Sequence, residues 1–333
     1  MYPESNKIKD LVDQAKNILI IQPDNPDGDS LGSSLGLEQI FYKLNKQTLM
    51  ICGVELPNYL HYIEGWDRVQ QELTNSFDLS IIVDTSSSSL IENLTKRVTH
   101  QQLASKPLII IDHHQTDPTI DFATTRLNIP QASASAEVIY ELAKQLKWDI
   151  TLSGKKSLAA AILSDSLGLT TNSVRARTVH IIGEMVEGGV SLAELENARR
   201  DTMRKSPEIV HYKGSLLQRI EYYDDNRIAI LTIPWSEIEK YSPLYNPAIL
   251  ALDDMRLTTN TLIAVVLKIY PNNKVTGKIR TNFNTPIADK LAETFNGGGH
   301  QYASGFKILN SSPIDQIKKQ IINRSMELYN ATL

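Results

Sequence analysis

The chain has a single cysteine, Cys52, in 333 residues, so no disulfide can form within it and a reducing cytoplasm is the expected compartment. It has no apolar run near the ~20 residues needed to cross a bilayer, so no membrane partner is expected. The opening MYPESNKIKD carries no apolar signal core behind a basic start. A basic excess is missing too: 34 Lys and Arg stand against 38 Asp and Glu, a net charge of −4. That balance argues against a protein that coats long duplex nucleic acid, whose phosphates demand a basic surface. Small phosphorylated ligands stay open, because a bound cation can supply positive charge locally. There are no repeats, and low complexity is confined to SSSS, Ser86–Ser89.

What is present is an ordinary globular composition, 41% hydrophobic and 22% charged, in a chain too long for one core. The first half alternates short apolar runs with helical patterns, the sign of βαβ units and a parallel sheet. NILII (Asn17–Ile21), LSIIV (Leu79–Val83) and PLIII (Pro107–Ile111) read as buried strands. Helical periodicity follows the first of them, with Gly32 and Gly36 four apart for close packing. Further helices are expected over Ala134–Trp148, Ser153–Asp165, Ala176–Val186 and Ser191–Asp201. MRKSPE (Met203–Glu208) breaks the pattern and reads as a linker. Beyond it, RIAILTI, TLIAVVLKIY and KVTGKIR look like strands of a smaller sheet, the last two joined by the hairpin signal PNN. A final helix is expected after Ser312 as cap, with Pro313 at its first position. The expected fold class is therefore α/β, with a parallel-sheet N-terminal domain over 1–202, a linker over 203–214 and a smaller α/β domain over 215–333.

The segment QPDNPDGD (Gln22–Asp29) places three aspartates and two prolines directly after a core-bound strand. Carboxylates this close repel one another unless a cation sits among them. The second strand stops at Asp84 and the third at Asp112-His113-His114. In an open parallel sheet, the loops after the carboxyl ends of the strands gather at one edge, where ligands bind. Asp165 sits on an otherwise apolar helix stripe with Leu158 and Ile162, and a lone buried carboxylate is costly. Several carboxylates with an imidazole form the ligand set of Mn²⁺, Mg²⁺ or Fe²⁺, with no thiolate to favour structural zinc. Two such ions, sharing an aspartate, are the arrangement that cleaves phosphate esters.

PDGDSLGS, IIVDT, IIIDHH and SDSLG, in that order, resemble the four motifs of the DHH phosphoesterase family, and NGGGHQYASGF (Asn296–Phe306) resembles the glycine-rich signature of its associated C-terminal domain. Length and spacing are similar to the branch of small oligoribonucleases (nanoRNases) and 3′-phosphoadenosine-5′-phosphate phosphatases. The resemblance implies two divalent metal ions, Mn²⁺ first and Mg²⁺ as the alternative. Asp27, Asp29, Asp84, His113 and Asp165 would be the ligands, with Asp84 bridging. Asp112 would orient the neighbouring imidazole, and His114 would contact the scissile phosphate or leaving oxygen. Arg280, His300 and the Gly297, Gly298 and Gly299 backbone would hold a nucleotide's terminal phosphate.

Two departures stand out. Pro23 occupies the place where the branch usually has a histidine, leaving Gln22 and Asp24 as flanking oxygen donors, and motif two continues as DTSSSSLIEN without the arginine that often follows. The expected activity is hydrolysis of short oligonucleotides or 3′-phosphoadenosine-5′-phosphate by a cytoplasmic enzyme, with a homodimer as a candidate assembly. The alternatives are a linear or cyclic dinucleotide phosphodiesterase, and a metal-deficient nucleotide-binding protein.

Overall fold

A computed structural model describes residues 2–115, 117–309 and 311–331. The chain divides into two compact units between Arg204 and Lys205.

The first unit is built on five parallel strands: β1 (Asn17–Gln22), β2 (Gln47–Cys52), β3 (Leu79–Val83), β4 (Leu108–Asp112) and β5 (Thr125–Asn128). Their order is β2-β1-β3-β4-β5. The apolar runs are continuous because both faces are covered. Ile18 and Ile20 face a core shared with the helices Gly28–Lys43, Ser135–Leu146 and Leu152–Asp165. Leu19 and Ile21 face a second core with Leu94 and Leu103. The chain leaves β1 towards β2 on one side and then returns to place β3 on the other. That reversal opens a crevice at the carboxyl ends of β1 and β3.

The helix Gly28–Lys43 lies against the helix Leu152–Asp165 so closely that a Cβ on Gly32 would stand 2.4 Å from the Ser157 carbonyl oxygen. A Cβ on Gly36 would meet Leu158 at the same distance, so the four-residue glycine spacing does serve close packing. Strand β2 escapes the sequence reading because QTLMIC lacks the long apolar run of its neighbours, and only its second half is buried.

The helix Ala176–Glu187 is pinned to the helix Ser135–Leu146 through Glu184, which accepts from Lys144 Nζ at 2.6 Å, Tyr140 Oη at 2.9 Å and Arg177 at 3.1 Å. The Lys144 hydrogen bond, chiefly, holds the Glu184 carboxyl down at about 2. A folded value below the unfolded one adds stability above the ordinary carboxylate range, and that stability is lost as pH falls from about 4.5 towards 2. Glu184→Gln is expected to lower stability at pH 7 by about 1 kcal/mol or less, since the site is partly exposed and screened. In urea titrations against pH, the gap to wild type should close across that window; a gap unchanged at pH 2.5 would refute the assignment.

The second unit carries a six-stranded sheet in the order β10-β11-β9-β8-β7-β6. Its strands are β6 (Glu221–Tyr223), β7 (Ile228–Ile233), β8 (Ile263–Tyr270), β9 (Lys274–Thr281), β10 (Gly298–His300) and β11 (Ala303–Ile308). Strands β7 and β8 pair in parallel, and the other pairs are antiparallel. The helices Ala288–Glu293 and Ile314–Asn330 cover one face, and Pro207–Leu217 and Pro247–Leu257 cover part of the other.

Two local expectations change. Residues 207–214, read as linker, belong to the helix Pro207–Leu217: Ser206 caps it by accepting from Ile209 N, Pro207 opens it, and Ile209, Tyr212 and Leu216 are buried. The last helix begins one residue late, at Ile314, with Pro313 in extended backbone at the cap and no side-chain cap bond from Ser312.

Candidate metal centre

The site grows from the loop after β1. Asp27 caps the helix Gly28–Lys43, its Oδ1 accepting from Asp29 N and Ser30 N at 3.0 Å. That start turns Asp29 inward, where it is fully buried. Its carboxylate accepts from Ser135 N (2.6 Å), Ala136 N (3.0 Å) and Ser33 Oγ (3.1 Å). Two of these donors are the first amides of the helix Ser135–Leu146, whose positive end faces the acid. Glu137 braces the same turn by accepting from Ser133 N, Ser133 Oγ and Thr178 Oγ1.

Asp84 follows β3 with φ +61°, a left-handed conformation that aspartate tolerates better than most residues. Its amide still joins the sheet edge through Ile111 O at 2.9 Å, and Oδ1 accepts from Ser135 Oγ at 3.1 Å. Ser135 therefore touches both Asp29 and Asp84. Sequence reasoning missed it, and the only signal was a small polar residue opening a helical pattern.

His113 completes the cluster. Its Nδ1 lies 3.3 Å from Ala132 O, within reach of a hydrogen bond from Nδ1–H that would turn Nε2 towards the acids. That Nε2 stands 3.7 Å from Asp29, 3.5 Å from Asp84 and 3.6 Å from Asp165. These separations are too long for good hydrogen bonds. They are close to the roughly 3–3.5 Å between neighbouring ligand atoms that share an ion about 2.1 Å away. Three carboxylates gathered round one nitrogen repel one another unless positive charge sits among them.

The acids register the same crowding. Burial, then the charge of Asp29, pushes Asp84 well above the ordinary carboxylate range. Burial likewise raises Asp29, and burial with Asp29 raises Asp165 to about 6. Two ligand groups emerge, Asp29-His113-Asp165 and Asp84-His113-His114, sharing one imidazole. Asp27 belongs to neither group, one of its oxygens being spent on the helix cap.

Asp112 is fully buried, and its hydrogen bond goes to the second histidine: Oδ1 accepts from His114 Nδ1 at 2.7 Å and from the amides of His113 and His114. Burial opposes ionisation of Asp112, but the His114 hydrogen bond and charge outweigh it and hold the carboxyl low; the same bond raises His114. The half-exposed His114 ring thus has a fixed Nδ1–H and a free Nε2.

At the departure site, Pro23 is buried and its carbonyl oxygen accepts from Cys52 Sγ at 3.3 Å. Asp24 is partly committed elsewhere: its amide donates to Leu90 O and its Oδ2 accepts from Asn93 N at 2.6 Å, while its buried Oδ1 has no partner among the described residues. Gln22 is fully buried with neither amide atom partnered among the described residues.

In the second unit, Arg280, Ala303 and His300 lie in one row across β9, β11 and β10. Gly298–His300 is a short edge strand rather than a loop. Gly299 has φ +142°, and a Cβ there would meet Ala303 O and Ser304 Cα at 2.7 Å.

Residues 17–164 match the DHH family, N-terminal domain. The N-terminal unit is a DHH-family domain. Among relatives, the bifunctional oligoribonuclease and PAP phosphatase NrnA of Bacillus subtilis is 25% identical over 297 residues, 88% of this chain and 89% of that protein. The cyclic-di-AMP phosphodiesterase GdpP of the same organism is 26% identical, over 71% of this chain and 37% of its own length. An exopolyphosphatase-related protein from Bacteroides fragilis shares the fold, with TM-score 0.80, 21% identity, and 98% and 97% of the two chains covered. The expectation of a DHH-type phosphoesterase is met at the level of the family, and the clustered acids and imidazole are groups that could hold a metal ion. No helix among the described residues is long and apolar enough to cross a membrane.

Proposed function

We propose that the chain hydrolyses short oligoribonucleotides and 3′-phosphoadenosine-5′-phosphate at a site for two divalent ions, Mn²⁺ in the first place and Mg²⁺ as the alternative. One observation carries the reading: His113 Nε2 facing Asp29, Asp84 and Asp165 at 3.5–3.7 Å inside a DHH-family domain. Bound ions would neutralise phosphoryl charge and acidify a water for in-line attack. Asp27, Asp29, Asp84, His113 and Asp165 would hold the ions, with Asp84 in the bridging role that the family resemblance implies. His114, fixed by Asp112, presents Nε2 to a phosphoryl or leaving oxygen. Arg280, His300 and the Gly297, Gly298 and Gly299 backbone take a terminal phosphate. The name and near-complete coverage of the Bacillus subtilis NrnA relative support this substrate class. A dinucleotide phosphodiesterase is the second reading, supported by the GdpP relative. Cys52, buried and in no disulfide, supports a cytoplasmic enzyme.

The test is turnover of phosphoadenosine phosphate, di- to pentanucleotides and cyclic di-AMP with Mn²⁺ or Mg²⁺. Release of mononucleotides from di- and trinucleotides is expected, with loss on chelation. Turnover of cyclic di-AMP alone would favour the second reading, and no turnover of any member would end both.

A further inference from the structure

The C-terminal sheet carries a pattern that the terminal-phosphate role of Arg280 does not use up. Arg280 pairs with Ala303. Two residues along β9, Lys278 pairs with Gly305. Two further along, Thr276 pairs with Lys268 on one side and with Lys307 on the other. Residues paired across strands share a face, as do residues two apart on one strand. One face therefore shows a cation in each of three successive rows: Arg280, then Lys278, then Lys268 with Lys307. The rows are roughly 6.8 Å apart, two residues of strand rise. Ala303 and Gly305 leave a low floor beside the first two cations.

These cations lack acidic partners. Arg280 donates to the Ile279 carbonyl oxygen and Lys268 to Asn246 Oδ1, and among the described residues none of the four forms an ion pair. Partial burial, and then the Arg280 charge, lower Lys278 below the ordinary ammonium value; burial and Lys278 do the same to Lys268. Like charges held in a row, three of them partly buried and Lys307 exposed, are a standing electrostatic cost in the free protein, and an anion laid along them removes it. A single phosphate cannot span three rows.

We propose that this sheet face binds consecutive phosphates of one short nucleic-acid strand, one to each row, so that a trinucleotide is held more tightly than a mononucleotide. The proposal rests on the phosphoesterase reading above and adds a length preference to it. The row spacing is of the order of the separation between successive phosphates in an extended single strand.

The test is calorimetric titration of the full chain in EDTA, which stops turnover, with AMP, pApA and pApApA at 50 and 200 mM salt. Wild type is expected to bind the trinucleotide about tenfold tighter than AMP. Lys278→Gln should weaken the trinucleotide about five- to tenfold, leave AMP within about twofold, and reduce the salt slope by about 0.7. Lys307→Gln, on an exposed position, gives the same comparison should Lys278→Gln fold poorly. The proposal is overturned if both variants bind the trinucleotide like wild type, if AMP weakens equally, or if a tetraglutamate peptide competes as well as the trinucleotide. Wild-type turnover of a dinucleotide with Mn²⁺ separates the two readings. Turnover without the length effect removes only the phosphate rows, whereas the length effect without turnover keeps them and removes the hydrolase.

Discussion

Asp84→Asn is expected to lower metal-dependent hydrolysis of a dinucleotide on the order of 10³-fold and to reduce bound metal per chain. Asp84 sits in the middle of the centre: His113 Nε2 is 3.5 Å away, Ser135 Oγ is 3.1 Å away, and beyond burial the charges of Asp29 and Asp27 raise it further. Asparagine keeps the shape and tolerates the left-handed backbone at φ +61°, so it removes charge with little strain. Asp84→Ala should match it in activity and be less stable than Asp84→Asn by about 1 kcal/mol, because alanine is less at ease in that conformation. Metal analysis of both variants beside activity decides the matter. Full turnover by Asp84→Asn with wild-type metal content would show that the centre lies elsewhere.

A second large effect is expected at a residue that is not itself a ligand. Gly32→Ala should destabilise the protein by about 1–3 kcal/mol through overpacking and lower activity about 10²-fold. The added Cβ would stand 2.4 Å from the Ser157 carbonyl oxygen and 2.7 Å from Ala161 Cβ, and backbone cannot swing aside as a side chain does. The helix that must retreat is Leu152–Asp165, whose last residue, Asp165, lies 3.6 Å from His113 Nε2. Gly183→Ala is the control: nothing lies within 4 Å of its Cβ position, and a helix gains about 0.5–1 kcal/mol from the exchange. Urea unfolding and turnover on the same samples test both. Equal stability of Gly32→Ala and wild type would mean that the two helices are not in such close contact.

Much of the centre was legible because its chemistry is written at strand ends. Asp84 and the Asp112-His113-His114 run each follow an apolar stretch that can only be a buried strand, and parallel strands put such ends at one edge. Asp165 was legible by contrast, as an acid on an apolar stripe. Ser135 was not, because nothing local distinguishes a serine that bonds two distant acids from one that starts a helix. The division of labour between the histidines was equally hidden: it depends on Ala132 O lying beside one ring and Asp112 beside the other. Residues 207–214 were misread because charge and proline mark a helix start as well as a linker.

By itself, then, the sequence determined that acids and imidazoles end several buried parallel strands, and hence which kind of ion they suit. Only the tertiary structure decided which of them face one nitrogen, that Asp24 is tied to Asn93, and which cations share a sheet face. The reason is physical. Residue type and local periodicity settle burial and chemistry within a few residues, whereas the 3.5–3.7 Å separations that bring Asp29, Asp84 and Asp165 to one His113 nitrogen follow from strand register and helix packing.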